Sequence, residues 1–391
     1  MITDGFTYIA VLVFIAAVLV YLPHVLKNNT AQTFFRFVPP VVLIYLTMMI
    51  SCTFKVWDME ATSSAYAVLK NPLLYAMLFL MLLRCDLRKI LHLGPKMLTG
   101  FLAASFSIGL GFLVSYALMH NMLGENAWGA LGALCGSWMG GSGNMLAIQA
   151  ALNVSETDMA YTLVLDSTCA TFYIIFLLWA IGFHEKFNRW TKADTRLIDE
   201  IGIALEKEAA RNNKPVTYPG IILLLGSGLL VSAASQKIGV FIQSALPFFD
   251  KATWSVLLVT ALGILLAMTP FGQIRGTEEL SNVLLYTVIA LIASRADLSG
   301  LGNTHLWLLT GFLILIVHAA VMLVLARLFH LDLFTCAVAS LANIGGTATA
   351  PILAGAYSSA LVPVGIIMAL FGYVIGTGGG LLTAQLMSIL Q

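Results

Sequence analysis

The sequence predicts an all-α polytopic membrane protein made of two inverted-topology repeats of about five spans. Each repeat carries a glycine-broken re-entrant hairpin or unwound helix. Composition is the first of three observations behind this reading: 59% of the chain is hydrophobic, only 10% is charged, and mean hydropathy is +0.92, against roughly 25% charge in an average soluble domain. The second is the pair of glycine breaks, GGSGN at 140–144 and GGTATAP at 345–351, each inside an apolar stretch. Glycine costs about 1 kcal/mol in a helix interior, and lipid cannot satisfy freed backbone groups. Paired interruptions in matching places therefore locate a candidate transporter site. The third is internal identity: Arg84, Asp86 and Leu87 recur as Arg295, Asp297 and Leu298, and LTGF at 98–101 recurs at 309–312, both at an offset of 211.

Taken in order, the first half has apolar runs at 6–22, 38–54, 72–83, 97–119 and 159–183, with the interrupted segment 127–152 before the last. The first run follows Asp4 and lacks both a basic n-region and a cleavage pattern, so a retained helix is expected. The second half repeats the order at 220–246, 254–268, 280–294, 306–326 and 361–387, with the interruption at 333–357. The offset falls to 205 at the glycine breaks, which about six extra residues near 120–128 explain. This divides the chain into a first membrane repeat (1–183), a linker (184–219) and a second membrane repeat (220–391). Within the linker, 194–211 has apolar residues at helical spacing and charge on the other side, predicting an amphipathic cytoplasmic helix.

Charge sets the expected topology. If each glycine-rich segment enters and leaves by one face, five true spans per half invert the second half. With the N-terminus outside, inner loops then hold fifteen basic residues, including seven from Lys186 to Lys214, and outer loops hold four: Lys55, Lys70, Lys251 and Arg295. A crossing, unwound helix ranks second because its basic residues are less biased. The scattered Lys and Arg offer no nucleic-acid patch. The five cysteines, Cys52, Cys85, Cys135, Cys169 and Cys336, are read as reduced packing residues.

The chemistry is expected at the breaks and at two buried polar residues. Gly140, Gly141, Ser142, Gly143 and Asn144, with Gly345, Gly346, Thr347 and Thr349, let backbone approach a solute and present helix N-termini to an anionic group. Asn144 and Thr349 are the expected caps, and Pro351 is expected in a first helical turn. Ordinary small-residue packing is the alternative for both breaks. Asp166 is the sole carboxylate well inside a span, and His318 lies mid-span; both are candidates for proton or sodium coupling, with any metal restricted to sodium near Asp166. Structural roles stand as alternatives: a hydrogen-bonded neutral Asp166 and a satisfied core His318. The Arg84/Asp86 and Arg295/Asp297 pairs are read as helix-end charge pairs. Gln149 and Asn343 are weaker candidates. No GxSxG, HExxH or GxxxxGK[ST] motif occurs, so a carrier without a cofactor is expected, not an enzyme or an ATP-driven pump.

The tracts SWMGGSGNMLAIQAAL, ANIGGTATAPILAGAY and LVPVGIIMALFGYVIGTGGG resemble the bacterial YjcL-like family of uncharacterised integral membrane proteins over nearly the whole chain. The architecture is more distantly similar to sodium-coupled glutamate and 2-hydroxycarboxylate symporters. The first resemblance implies a multi-pass inner-membrane protein. The second implies an elevator-type carrier whose site is lined by 140–144 and 345–349, Ala348 included. Neither hairpin holds an arginine, which favours a monocarboxylate, amino acid or short peptide over a di- or tricarboxylate. Other readings are a cation/proton antiporter built on Asp166, or an intramembrane scaffold or enzyme. The expected partners are the solute and the bilayer; the oligomeric state is open, with a homodimer as one candidate.

Overall fold

Asp4 accepts a hydrogen bond from the Thr7 N–H and starts helix α1 (Gly5–Val25). The computed structural model describes every residue except 30, 32, 33, 36–39, 92, 125, 195–214, 247–249, 297–303, 358–360 and 391. The expected amphipathic helix at 194–211 and Asp297 thus lie outside the described residues, apart from Asp194. After α1 come α2 (Pro40–Thr53), α3 (Ser63–Leu82), the short α4 (Leu87–Leu91), α5 (Gly94–Leu123), α6 (Ala127–Gly140), α7 (Ser142–Leu152), α8 (Glu156–Ala180) and α9 (His184–Thr191). The second half holds α10 (Tyr218–Ala245), α11 (Lys251–Ala267), α12 (Thr277–Ala293), α13 (Thr304–Leu328), α14 (Leu333–Ile344), α15 (Gly346–Tyr357) and α16 (Val362–Ser388).

The element order of the first half recurs in the second. The longest helix of the first half, α5 with 30 residues, matches α13 with 25. Their starts are 210 positions apart and their ends 205, so the extra residues extend the C-terminal end of α5. Among the described residues, seven helical segments are long and apolar enough to cross a membrane. Ten spans are expected from the sequence; α2, α11 and α12 have only 14, 17 and 17 residues, short of the roughly 20 that cross the hydrocarbon core. The run expected from 72 instead begins at Ser63 and contains Pro72. Lys70 does not end this helix, because Glu156 pairs with its ammonium at 2.9 Å.

Two apolar clusters divide the molecule. One joins residues of α1, α2, α3, α10, α11 and α12, which are the early helices of both halves. The other joins α5, α6, α8, α13, α14, α15 and α16. Helix α7 packs into the first cluster through Met145, Leu146, Ala147 and Ile148, while most of α6 belongs to the second. The broken segment of the first half therefore lies where the two bundles meet.

Repeat-equivalent helices are antiparallel neighbours. Arg84, just past the end of α3, reaches Glu278 at the start of α12 at 2.8 Å. Arg295, just past the end of α12, bonds Met59 O and Thr62 Oγ1 near the start of α3 and stacks over the Tyr66 ring at 4.7 Å. The arginines thus work between helices, and Asp86 is held by Arg88 at 2.9 Å. All five cysteines are free and buried.

Candidate functional site

Both broken segments fold back on themselves. A Cβ on Gly136 of α6 would collide with Ile148 of α7, and one on Gly129 would lie 3.2 Å from Val154, beyond the end of α7. A straight helix would separate residues 136 and 148 by about 18 Å at 1.5 Å per residue. In the second segment, Phe334 at the start of α14 packs edge-on against Tyr357 at the end of α15, with ring centroids 5.0 Å apart.

The reversals turn on glycines. Gly141 has φ +82 and Gly346 φ +60, a left-handed region costly for residues with a Cβ. The caps differ from expectation. Gly141 itself is the N-cap of α7, with no side-chain cap bond, so Asn144 falls within the first turn. Helix α15 begins at Gly346, which leaves Thr349 inside it and places Pro351 in the helix interior. Positive-φ backbone turns these chains before Asn144 or Thr349 is reached, and Pro351 cannot bond to the Thr347 carbonyl four residues earlier.

A stripe of small residues, unnoticed in the sequence, fixes the first hairpin. Gly132, Gly136 and Gly140 on α6 face Gly372, Gly376, Gly380 and Ala384 on α16. A Cβ on Gly380 would sit 2.8 Å from Gly136 Cα, and one on Gly376 would sit 2.8 Å from Gly140 Cα. Only small residues allow such backbone approach; the four-residue spacing was the available signal. Asn144 reinforces the contact, donating to Gly140 O at 2.8 Å and accepting from Thr377 Oγ1 at 2.8 Å. Its side chain is thus spoken for by protein groups.

The tips meet at Tyr373 of α16, a residue that carried no signal in the sequence. The Thr347 and Tyr373 hydroxyls are 3.1 Å apart, and a Cβ on Gly141 would lie 3.3 Å from Tyr373 Cε1. A Cβ on Gly143 would lie 2.6 Å from Met81 Sδ of α3, so the first tip touches both bundles. A Cβ on Gly346 would meet nothing within 4 Å. Ser142 and Gly345 lie at the two turns beside these groups and are partly buried. Thr349 Oγ1 and Gln149 Oε1 are buried atoms with no hydrogen-bond partner. Asn343 is turned towards α5, where its Oδ1 accepts from Ser105 at 2.8 Å.

Asp166 of α8 attaches to the same hairpin, one turn before its tip. Trp138 Nε1 donates to Oδ1 at 2.9 Å, and Ser137 Oγ donates to Oδ2 at 3.3 Å. His318 is fully buried away from the tips: its Nδ1 bonds Ser107 of α5 at 2.7 Å and its Nε2 bonds Ser340 of α14 at 3.1 Å. The second hairpin is anchored at its base. Asp332 caps α14 through the Thr335 N–H at 2.7 Å and pairs with Lys96 of α5 at 2.8 Å.

The chain is similar to the uncharacterized membrane protein YjcL of Bacillus subtilis (strain 168), with 27% identity over 315 residues that cover 76% of this chain and 77% of the relative. Residues 10–390 match the family described as "Protein of unknown function (DUF819)". With seven apolar helices of spanning length and a family match across almost its whole length, the chain belongs to this membrane-protein family.

Proposed function

We propose that this protein is a secondary transporter that binds a small organic solute, a monocarboxylate, amino acid or short peptide, between its two hairpin tips. The observation that carries the reading is the convergence of Gly141 and Thr347 on Tyr373 at the junction of two bundles. Glycine-broken segments in both halves bring two helix breaks to one place, as carriers with discontinuous helices do. In this reading both hairpins are re-entrant, five helices of each half span, and the halves are inverted. Support comes from the antiparallel packing of repeat-equivalent helices, since a two-fold axis relating antiparallel spans lies in the membrane plane. The basic residues would then mark the cytoplasmic face of a bacterial inner membrane.

Transport would proceed as an elevator: the bundle built on α5, α6 and α13–α16 slides against the bundle of early helices along the seam where α7 and Tyr373 pack. Asp166 is the proposed coupling group for sodium or protons. Its tie to Ser137 and Trp138 lets a change at the carboxylate alter the hydrogen bonds of the first hairpin. His318 is the second candidate for this role.

The test is purified protein in proteoliposomes, assayed for solute uptake under imposed sodium and proton gradients and for counterflow without them. Uptake that fails when Gly346 is made leucine supports the tip site. Absence of uptake, exchange and solute-dependent thermal stabilisation across amino acids, dipeptides and monocarboxylates would sink the carrier reading in favour of a scaffold or enzyme.

A further inference from the structure

The hairpins contain no arginine, yet the fold brings one to the tips from elsewhere. Helix α3 touches the first tip through Met81, which lies beside Gly143. One turn further on, Cys85 Sγ lies 3.3 Å from the Leu370 carbonyl of α16, three residues before Tyr373. Arg84 stands between Met81 and Cys85 in the chain, next to the residue that touches α16. The residue that the sequence marks only as a helix-end charge thus lies one position from a contact with the segment of α16 that carries Tyr373.

Its ion pair is lopsided. The Arg84 side chain is 15% exposed and Glu278 is 57% exposed, at 2.8 Å. A cation taken mostly out of water needs a counter-charge, whereas an exposed carboxylate released to solvent loses little. An incoming carboxylate can therefore take the place of Glu278 with the charge balance of Arg84 kept. Arg295, the repeat counterpart, shows the contrasting case: it is bonded to Met59 O and Thr62 Oγ1 and covered by the rings of Tyr8 and Tyr66.

We propose that Arg84 anchors the carboxylate of the transported solute and that Glu278 is the exchangeable group holding that place when no solute is bound. The inference rests on the carrier reading above and deepens it by naming the group that holds the solute's carboxylate.

The experiment uses the full-length purified protein and measures thermal stabilisation and counterflow with lactate, L-alanine and L-alanyl-L-alanine, each against its amide. The acids should act and the amides should not. Arg84→Gln should weaken apparent affinity about tenfold or more, and Arg84→Lys should restore part of it. The distinguishing variant is Glu278→Gln, which removes the competitor and should tighten binding several-fold; a pair that merely clamps α3 to α12 would show no such gain. Amides that bind as well as the acids leave a carrier in place and overturn the anchor. Unchanged affinity in Arg84→Gln, or unchanged or weaker affinity in Glu278→Gln, also overturns it. No response to any acid or amide overturns the carrier reading and this inference together.

Discussion

Ser107 and His318 are hydrogen-bonded to each other at 2.7 Å and are 211 residues apart, the same offset that relates the repeated sequence motifs. They thus occupy corresponding positions of the two halves at that offset. Four residues further along α5, a Cβ on Gly111 would lie 2.9 Å from Ile314 O, four residues back along α13, so the two helices cross antiparallel at this bond. His318→Ala should lower stability by about 1–3 kcal/mol, because it removes the imidazole's bonds to Ser107 and Ser340 from the core, although Ser107 keeps its bond to Ala104 O. The check is apparent Tm alongside uptake per folded molecule. Loss of gradient-driven uptake in a stably folded His318→Gln would transfer the coupling role to this residue.

The glycines of the two hairpins should separate by role. A Cβ on Gly140 would collide with Asn144 Nδ2 and the Gly372 carbonyl, so Gly140→Ala should destabilise the protein by about 1–3 kcal/mol as overpacking. Gly346 faces open space, and Gly346→Leu should cost about 1–2 kcal/mol in backbone strain while abolishing uptake. Paired denaturation and uptake assays on both variants test this division. Wild-type uptake by Gly346→Leu would remove the second tip from the site.

Asp166→Asn should abolish accumulation driven by an ion gradient, since an amide releases no proton and binds sodium more weakly. Counterflow at equal ion concentrations should persist. Full gradient-driven accumulation in this variant would leave Asp166 as a brace for Ser137 and Trp138.

The first hairpin should begin and end on one face of the membrane. Single cysteines at Asn126 and Ser155, placed in a background without the five native thiols, should both label with an impermeant reagent from outside. Labelling from opposite faces would replace the hairpin reading with a crossing segment.

Much of this arrangement was legible in the residues. The Arg84 and Arg295 motifs and the paired glycines pointed to matching helices in the two halves, because they are local and repeat at nearly fixed spacing. Tyr373 was not legible: nothing in an apolar run distinguishes a tyrosine at a meeting point from one in the core. Arg84 was noticed, but the contacts of Met81 with Gly143 and of Cys85 with Leu370 that flank it come from remote segments, so its placement depends on the tertiary fold. Asn144 shows the converse. Its type suits a cap or a ligand contact, and only its bonds to Gly140 and Thr377 reveal what it holds.

The glycine stripe of α16 also bears on how the chain is made. Gly372, Gly376, Gly378, Gly379 and Gly380 leave this helix poor in intrinsic helical preference, at about 1 kcal/mol per glycine, and its partner α6 lies more than two hundred residues earlier in the chain. Because α16 is synthesised after α6, its complementary surface is already waiting in the bilayer when it emerges. Final assembly of the first hairpin should therefore be a late, post-insertion event, and a nascent chain arrested before α16 should expose α6 to protease or to the quality-control machinery of the membrane.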